Sequence, residues 1–500
     1  MIQMPKDIPR GASWTPGHWA LSGNYAPVQR EIDATELPVT GIIPNFLDGR
    51  YVRIGPNPIS VPDPARYQMF FGTGMVHGLR LIGGQALWYR NRWVRAASAA
   101  RALGEKWTGG PSQGGIDFAA YTNVIQYANR TLALGECGVR PYELSENLDT
   151  VSGFDFGGTL RGGYAPLPKR DPKTGELHAI SYSPLFGHAV RYTVADIYGC
   201  IRHTVDIKLT AMPLMHDFSL TERYVVVYDQ PVVLNWDAVA RGPWSQWLTR
   251  QLNRISKRAV PDPLADIVMA ASARIDINPS LPFPFLSDQN RPTRVGVLPR
   301  DGTAADLRWF EVPRCFIYHG LNAHDDGDQI FLDIVRHPDM FVVPGADPMT
   351  DAATLDRWII DLVSGNVRVQ PLDDRSQEFP RVDDRLVGQP YRYGYCVSYP
   401  ANSHPRFTPG SLLRHDVLTE STIEVSFGGH RQASEFIFVP SGENAGEDDG
   451  VLMGFVYNSV DDRSDLVLLD AATLHVVGTV HLPARVPNGF HGNWMPTQSS

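Results

Sequence analysis

Trp358–Leu372 reads WIIDLVSGNVRVQPL, and Leu466–Leu482 reads LVLLDAATLHVVGTVHL. Each is an apolar strand, an aspartate, a short turn and a second apolar strand, which is the pattern of a β-hairpin. The same plan recurs elsewhere. Asp171–Ser183 (DPKTGELHAISYS) supplies a turn and its returning strand, and RVGVLPRDG (Arg294–Gly302) runs on to LRWFEV (Leu307–Val312). Further β-branched or aromatic runs lie at Arg223–Tyr228 (RYVVVY), Gln329–Val335 (QIFLDIV) and Val451–Tyr457 (VLMGFVY). Hairpins repeated without a helical crossover mean antiparallel sheets, and so many in one chain point to the blades of a β-propeller. Two packed sheets in a sandwich are the competing arrangement.

Composition fits an all-β chain. The 45 glycines and 40 prolines are scattered over all 500 residues, as turns between many short strands require. A hydrophobic content of 43%, with 21 Phe, 19 Tyr and 11 Trp, supplies a large core and excludes a disordered chain. Length alone gives a prior of two or three domains, but closed β architectures run this long as one unit, so a single domain over 1–500 is expected. The net charge of −9 carries no dominant basic run, which excludes a nucleic-acid footprint. Cys137, Cys200, Cys315 and Cys396 stand far apart with no C-x-x-C pair. That excludes a disulfide scaffold and a zinc ribbon and points to a reducing, cytoplasmic setting. The N-terminal MIQMPKDIPRGASW has no apolar core, so no signal peptide is expected, and no apolar window is long enough to span a bilayer.

One stretch breaks the β pattern. Over 242–277, Trp244, Trp247, Leu248, Leu252 and Ile255 fall on one face of a helix, and Arg250, Arg254, Lys257 and Arg258 on the other. Pro261 and Pro263 end it, and Leu264, Ile267, Val268 and Ala271 begin a second apolar stripe. Two readings follow: a helical hairpin capping the β body, or a basic amphipathic helix on a membrane surface, in peripheral contact through Trp244, Trp247 and Leu248.

Of the 15 histidines, His77, His178, His188, His203, His324, His337, His404, His415, His430, His475 and His481 lie in contexts that read as surface. Three differ. His216 (LMHDFSLTERYVVVYD) precedes a strand, His319 (CFIYHGLNAHDDGD) ends an apolar run beside a turn, and His491 (NGFHGNW) sits in a glycine-flanked aromatic stretch. Taken singly, each reads as structural.

Taken together, these segments resemble the carotenoid cleavage oxygenase family, which includes the apocarotenoid and lignostilbene oxygenases and the retinal pigment epithelial membrane protein. The matching segments run in order from Asn24–Pro58 (NYAPVQREIDATELPVTGIIPNFLDGRYVRIGPNP) through FFGTGMVHGLRL, YRNRWVR, LALGECGVRPYEL, DPKTGEL and MHDFSLTERYVV. They continue through RVGVLPR, CFIYHGLNAHDDGD, EFPRVDDRLVGQPYRYGY and SEFIFVP to GFHGNW, so that the resemblance covers about 24–494. It implies a single seven-bladed β-propeller with a helical dome or lid over the metal-bearing face, the 242–277 insertion belonging to that lid. It implies a non-haem Fe(II) held by four histidines, unlike the facial triad of two histidines and a carboxylate. Three ligands carry over as His216, His319 and His491. Glutamates that orient the ligands by accepting the other ring N–H carry over as Glu136, Glu378 and Glu435.

The fourth ligand position departs from the family. Where the family has H-P-K-x-D-P-x-T-G-E-L, this chain has Leu167-Pro168-Lys169-Arg170-Asp171-Pro172-Lys173-Thr174-Gly175-Glu176-Leu177. Leucine ligates no metal, and His178 or His188 would reach the centre only through a change of register. The resemblance implies cleavage of a C=C bond by O₂ at Fe(II), giving two carbonyl products, with no amino-acid nucleophile. An apolar polyene, a carotenoid or apocarotenoid, is the favoured substrate. Stilbene-cleaving relatives carry a lysine where this chain has Gly135, although a stilbene or aryl alkene stays open. The other readings are a metal-poor, non-catalytic binder of an apolar ligand and an isomerase, whose products would lack incorporated oxygen. FFGTGM also departs from the family's D-G-D-G-M turn at Gly72 and Thr73, with no consequence that the sequence explains.

Overall fold

A computed structural model describes residues 18–61, 63–107, 120–235, 259–261, 264, 283–342, 352–400 and 408–498. Their strands form seven antiparallel sheets of four or more strands, arranged as a β-propeller, and one two-stranded ribbon. We number the seven sheets as blades in chain order. Blade 1 holds Gly49–Pro56, Gly74–Ile82, Gln85–Trp93 and Ile32–Ala34. Blade 2 spans Asn123–Gly153, blade 3 Lys169–Lys208 and blade 4 Ser219–Val312. Blade 5 spans Phe316–Asp373, blade 6 Gln377–Val425 and blade 7 Arg431–His481.

The repeated aspartate now has a physical reason. At the end of a blade's third strand its carboxylate accepts the amide N–H groups of the turn that follows, holding the hairpin closed. Asp361 accepts from Val363 and Ser364 at 2.9 and 2.8 Å, and Asp470 accepts from Thr473 at 2.8 Å. Asp196 in blade 3 and Asp416 in blade 6 do the same. The runs RYVVVY, QIFLDIV and VLMGFVY are second strands of blades 4, 5 and 7. Their apolar side chains fill the spaces between blades: Val226, Tyr228 and Val297 of blade 4 meet Leu332, Trp358 and Ile360 of blade 5 in one core.

Two exchanges close the ring. The C-terminal strand Gly492–Pro496 pairs with Gly49–Pro56 as the inner strand of blade 1, with Arg50 opposite Met495. The N-terminal strand Val39–Gly41 pairs with Val476–His481 at the outer edge of blade 7. Each end of the chain thus completes the sheet begun by the other, and the circle of blades has no gap at its seam.

Helix is scarce. Ala97–Ala102 is the one α-helix whose bounds are described, Leu264 being a single further helical residue, and there are several short 3₁₀ turns. Of the helical insertion expected at 242–277, only 259–261 and 264 are described, so Trp244, Trp247 and Leu248 lie outside the described residues. No described helix is long and apolar enough to cross a membrane. The four cysteines are unpaired.

Candidate metal centre

The inner strands of six blades send Asn123, Lys169, Ser219, His319, Arg381 and Asn493 into one axial cavity of about 290 Å³. His216 stands just before the inner strand of blade 4, His319 within that of blade 5, and His491 just before that of blade 1. A register shift between Ile317 and Gly320 interrupts the pairing at His319, re-aiming its side chain relative to a regular strand. Gly320 is required there for close approach. A Cβ on it would lie 2.8 Å from Ser219 Oγ, while its N–H donates to Asp217 Oδ2 at 2.9 Å.

The three imidazoles converge. His216 Nε2 and His491 Nε2 each lie 3.1 Å from His319 Nε2, and one ligand atom from each of the three falls within 4.8 Å of the others. All three residues are buried. Each turns its Nδ1 to a glutamate: His216 to Glu136 at 2.5 Å, His319 to Glu378 at 2.5 Å and His491 to Glu435 at 2.8 Å. A ring that donates Nδ1–H to a carboxylate presents a bare Nε2 lone pair at its other side. Three such lone pairs facing one another repel unless a cation lies among them. Metal–imidazole bonds of about 2.1 Å at right angles place two nitrogens about 3.0 Å apart, close to the observed separations. The donor set fits a divalent first-row metal.

Burial opposes charge on Glu378 and Glu435, but their partners outweigh it. His319 and His337 hold Glu378 far below the ordinary carboxylate value, and His491 and Arg381 draw Glu435 down to about 2. Burial lowers His491 to about 4 against the pull of Glu435. His319, also subject to the burial penalty, is held above its ordinary value by Glu378.

The glutamates have further partners that sequence reasoning missed. Thr122 Oγ1 and the Tyr182 hydroxyl donate to Glu136. The Phe379 N–H and His337 bond Glu378 at 2.7 Å each, and the Gly492 N–H bonds Glu435 at 2.8 Å, with Arg381 3.4 Å away. The surface reading of four histidines is corrected: His77, His178, His337 and His415 are buried. His77, His337 and His415 come at most two residues after a pair of apolar residues on a strand (MV, IV, LL), which was the available signal, whereas His178 follows only Leu177. His404 lies outside the described residues.

Leu167 lies two residues before the inner strand of blade 3 and lines the axial cavity with His319 and His491. Among the described residues the histidine group has three members; neither His178 nor His188 belongs to it. His178 Nδ1 is engaged by the Tyr192 hydroxyl at 2.7 Å. Aromatic rings enclose the triad. Tyr318 packs on His216 and His319 at 4.5 and 5.1 Å, and Phe379 on His319 and His491 at 5.6 and 5.3 Å. Phe490 extends the wall to Phe70 and Tyr121.

Fold and site define a seven-bladed propeller with a histidine centre on its axis. The family model for the retinal pigment epithelial membrane protein matches residues 25–496, and the chain belongs to that family, the carotenoid cleavage oxygenases, as an enzyme of dioxygenase type. It is 44% identical to a carotenoid cleavage oxygenase of Mycobacterium tuberculosis, over 95% of this chain and 97% of that one. It is 30% identical to a carotenoid 9,10(9',10')-cleavage dioxygenase of Pisum sativum, over 95% and 89% of the two chains. Among solved structures, a lignostilbene dioxygenase of Pseudomonas brassicacearum superposes with a TM-score of 0.79 at 26% identity, covering 96% of this chain and 99% of the other.

Proposed function

We propose that His216, His319 and His491 bind Fe(II), and that the protein uses O₂ to cleave a C=C bond of an apolar polyene, a carotenoid or apocarotenoid, into two carbonyl products. The observation that carries this reading is the convergence of three Nε2 atoms, each on a ring held by its own glutamate. Bound iron would supply the O₂ chemistry. The chain's own part is positioning. Glu136, Glu378 and Glu435 fix the ring orientations and tautomers and act on the ligands, not as general bases. Tyr318, Phe379 and Phe490 form an apolar wall that suits a hydrocarbon and excludes water from the reacting bond.

The 44% and 30% identities to carotenoid-cleaving proteins favour a polyene over a stilbene. Residues 1–500 act as one domain, in a reducing cytoplasm that suits four free cysteines. The Trp244–Arg258 segment touches a membrane surface from which such a substrate partitions. Replacing Trp244, Trp247 and Leu248 with Ser should reduce liposome binding without unfolding the protein; unchanged binding contradicts the membrane contact.

Leu167 favours a second reading, a metal-poor binder of an apolar ligand. Iron content separates the two. Protein purified from iron-supplied cells is mixed with O₂ and either a carotenoid or a stilbene, and aldehydes are measured. The oxygenase reading expects about one iron per chain and aldehyde from the carotenoid. An iron-free chain that yields no aldehyde overturns it.

A further inference from the structure

The three glutamates differ in what holds their second oxygen. Glu136 receives a tyrosine hydroxyl, Glu435 a backbone N–H with a guanidinium nearby, and Glu378 a second histidine. His337, on the second strand of blade 5, places Nε2 2.7 Å from Glu378 Oε1, while His319, on the first strand, places Nδ1 2.5 Å from Glu378 Oε2. One buried carboxylate from blade 6 therefore joins two histidines of blade 5.

His337 is 1% exposed, and its Nδ1 has no hydrogen-bond partner among the described residues. Nε2 donates to the carboxylate, and Nδ1 is left without a partner in a buried place. Such an atom costs free energy that an apolar side chain of similar shape avoids. Packing against Phe316 and Tyr318 would be served equally well by phenylalanine. The imidazole earns its place through the one bond it makes.

We propose that His337 is a positioning residue of the metal centre. By donating to Oε1 it fixes the rotation of the Glu378 carboxylate. Oε2 is then held for His319 Nδ1–H, and His319 presents Nε2 to the metal. Without that donor the carboxylate turns toward other donors, and His319 loses its orientation. Partners one layer beyond a ligand are worth about ten- to a hundredfold in metal affinity, and His337, one layer further out and acting through Glu378, takes the low end of that scale, about tenfold.

The inference rests on the proposed metal site, and the experiment separates the two. Co(II) binding to the metal-free full-length chain is measured by calorimetry and by visible absorption, for wild type, His337→Phe and His337→Gln, with melting of each metal-free protein. Glutamine keeps an N–H donor at the Nε2 position. Wild type should bind about one Co(II) with a ligand-field band, His337→Phe should bind about tenfold more weakly with an altered band, and His337→Gln should recover most of the loss. Equal affinity in wild type and His337→Phe overturns the role of His337 while leaving the metal site standing. Equal losses in both variants, matched by equal falls in melting temperature, also overturn it, in favour of a packing role. Absence of Co(II) binding in wild type overturns the metal site itself.

Discussion

Blades 3 and 5 are built to one plan and end differently at the axis. Both have an inner strand on the cavity and a third strand closed by an aspartate-held turn, Asp196 in blade 3 and Asp361 in blade 5. Blade 5 delivers His319 at a bulge, backed by Glu378 and His337, whereas blade 3 brings Leu167 beside a two-residue inner strand. The propeller therefore does not need a histidine at the axis in order to form blade 3. Inter-blade packing and turn chemistry build the blades, and ligand identity is a separate choice made on a finished scaffold.

Removing the histidine from blade 5 tests that separation most severely. His319→Ala should weaken Co(II) or Fe(II) binding by at least about a hundredfold, read by calorimetry. It should also destabilise the metal-free fold by about 1–3 kcal/mol, because Glu378 stays buried with one of its partners gone. If affinity is unchanged, blade 5 is no more a ligand blade than blade 3. The converse change is Leu167→His, which should raise metal affinity on the order of tenfold or more and increase iron per chain. No gain would mean that blade 3 does not aim position 167 at the centre.

A third test concerns histidines buried away from the axis. Burial lowers His77 to about 3 and His178 and His415 to about 4, so all three are neutral when folded near neutral pH. The unfolded chain takes up protons below about pH 6.5, before the folded chain does. Stability is therefore fully present above that pH and is lost as pH falls toward the folded values. Each residue should cost about 1.4 kcal/mol per pH unit in that window. Urea melts at several pH values read this slope, and replacing His178 and His415 by Gln should flatten it. The smallest expected effect is at the seam of blades 3 and 4, where Lys169 pairs with buried Asp217 at 3.0 Å. Lys169→Met should cost about 1 kcal/mol, because Asp217 keeps the Gly320 and Phe218 N–H groups. A much larger loss would show that this pair carries the contact between the two blades.

Much of this was legible in the sequence, for local reasons. The β-branched runs and aspartate turns are contacts within one hairpin, so WIIDLVSGNVRVQPL could be read directly. Ring closure could not, since Val39–Gly41 meets Val476–His481 across nearly the whole chain. His216, His319 and His491 each looked structural in isolation; a family resemblance grouped them, and their Nε2 atoms meet. The burial of His337 and His415 went unread because the arginine before each lies on the opposite face of its strand, and that of His77 and His178 because a lone histidine carries no signal of the face it takes. The bond from His337 to Glu378 joins different blades, and no local pattern encodes it.

X-ray absorption at the iron edge of the anaerobic Fe(II)-loaded chain tests the central claim most directly. The account predicts three imidazole nitrogens at about 2.1 Å and the loss of one in His319→Ala. An iron spectrum without imidazole scattering, or one unchanged in that variant, would contradict it.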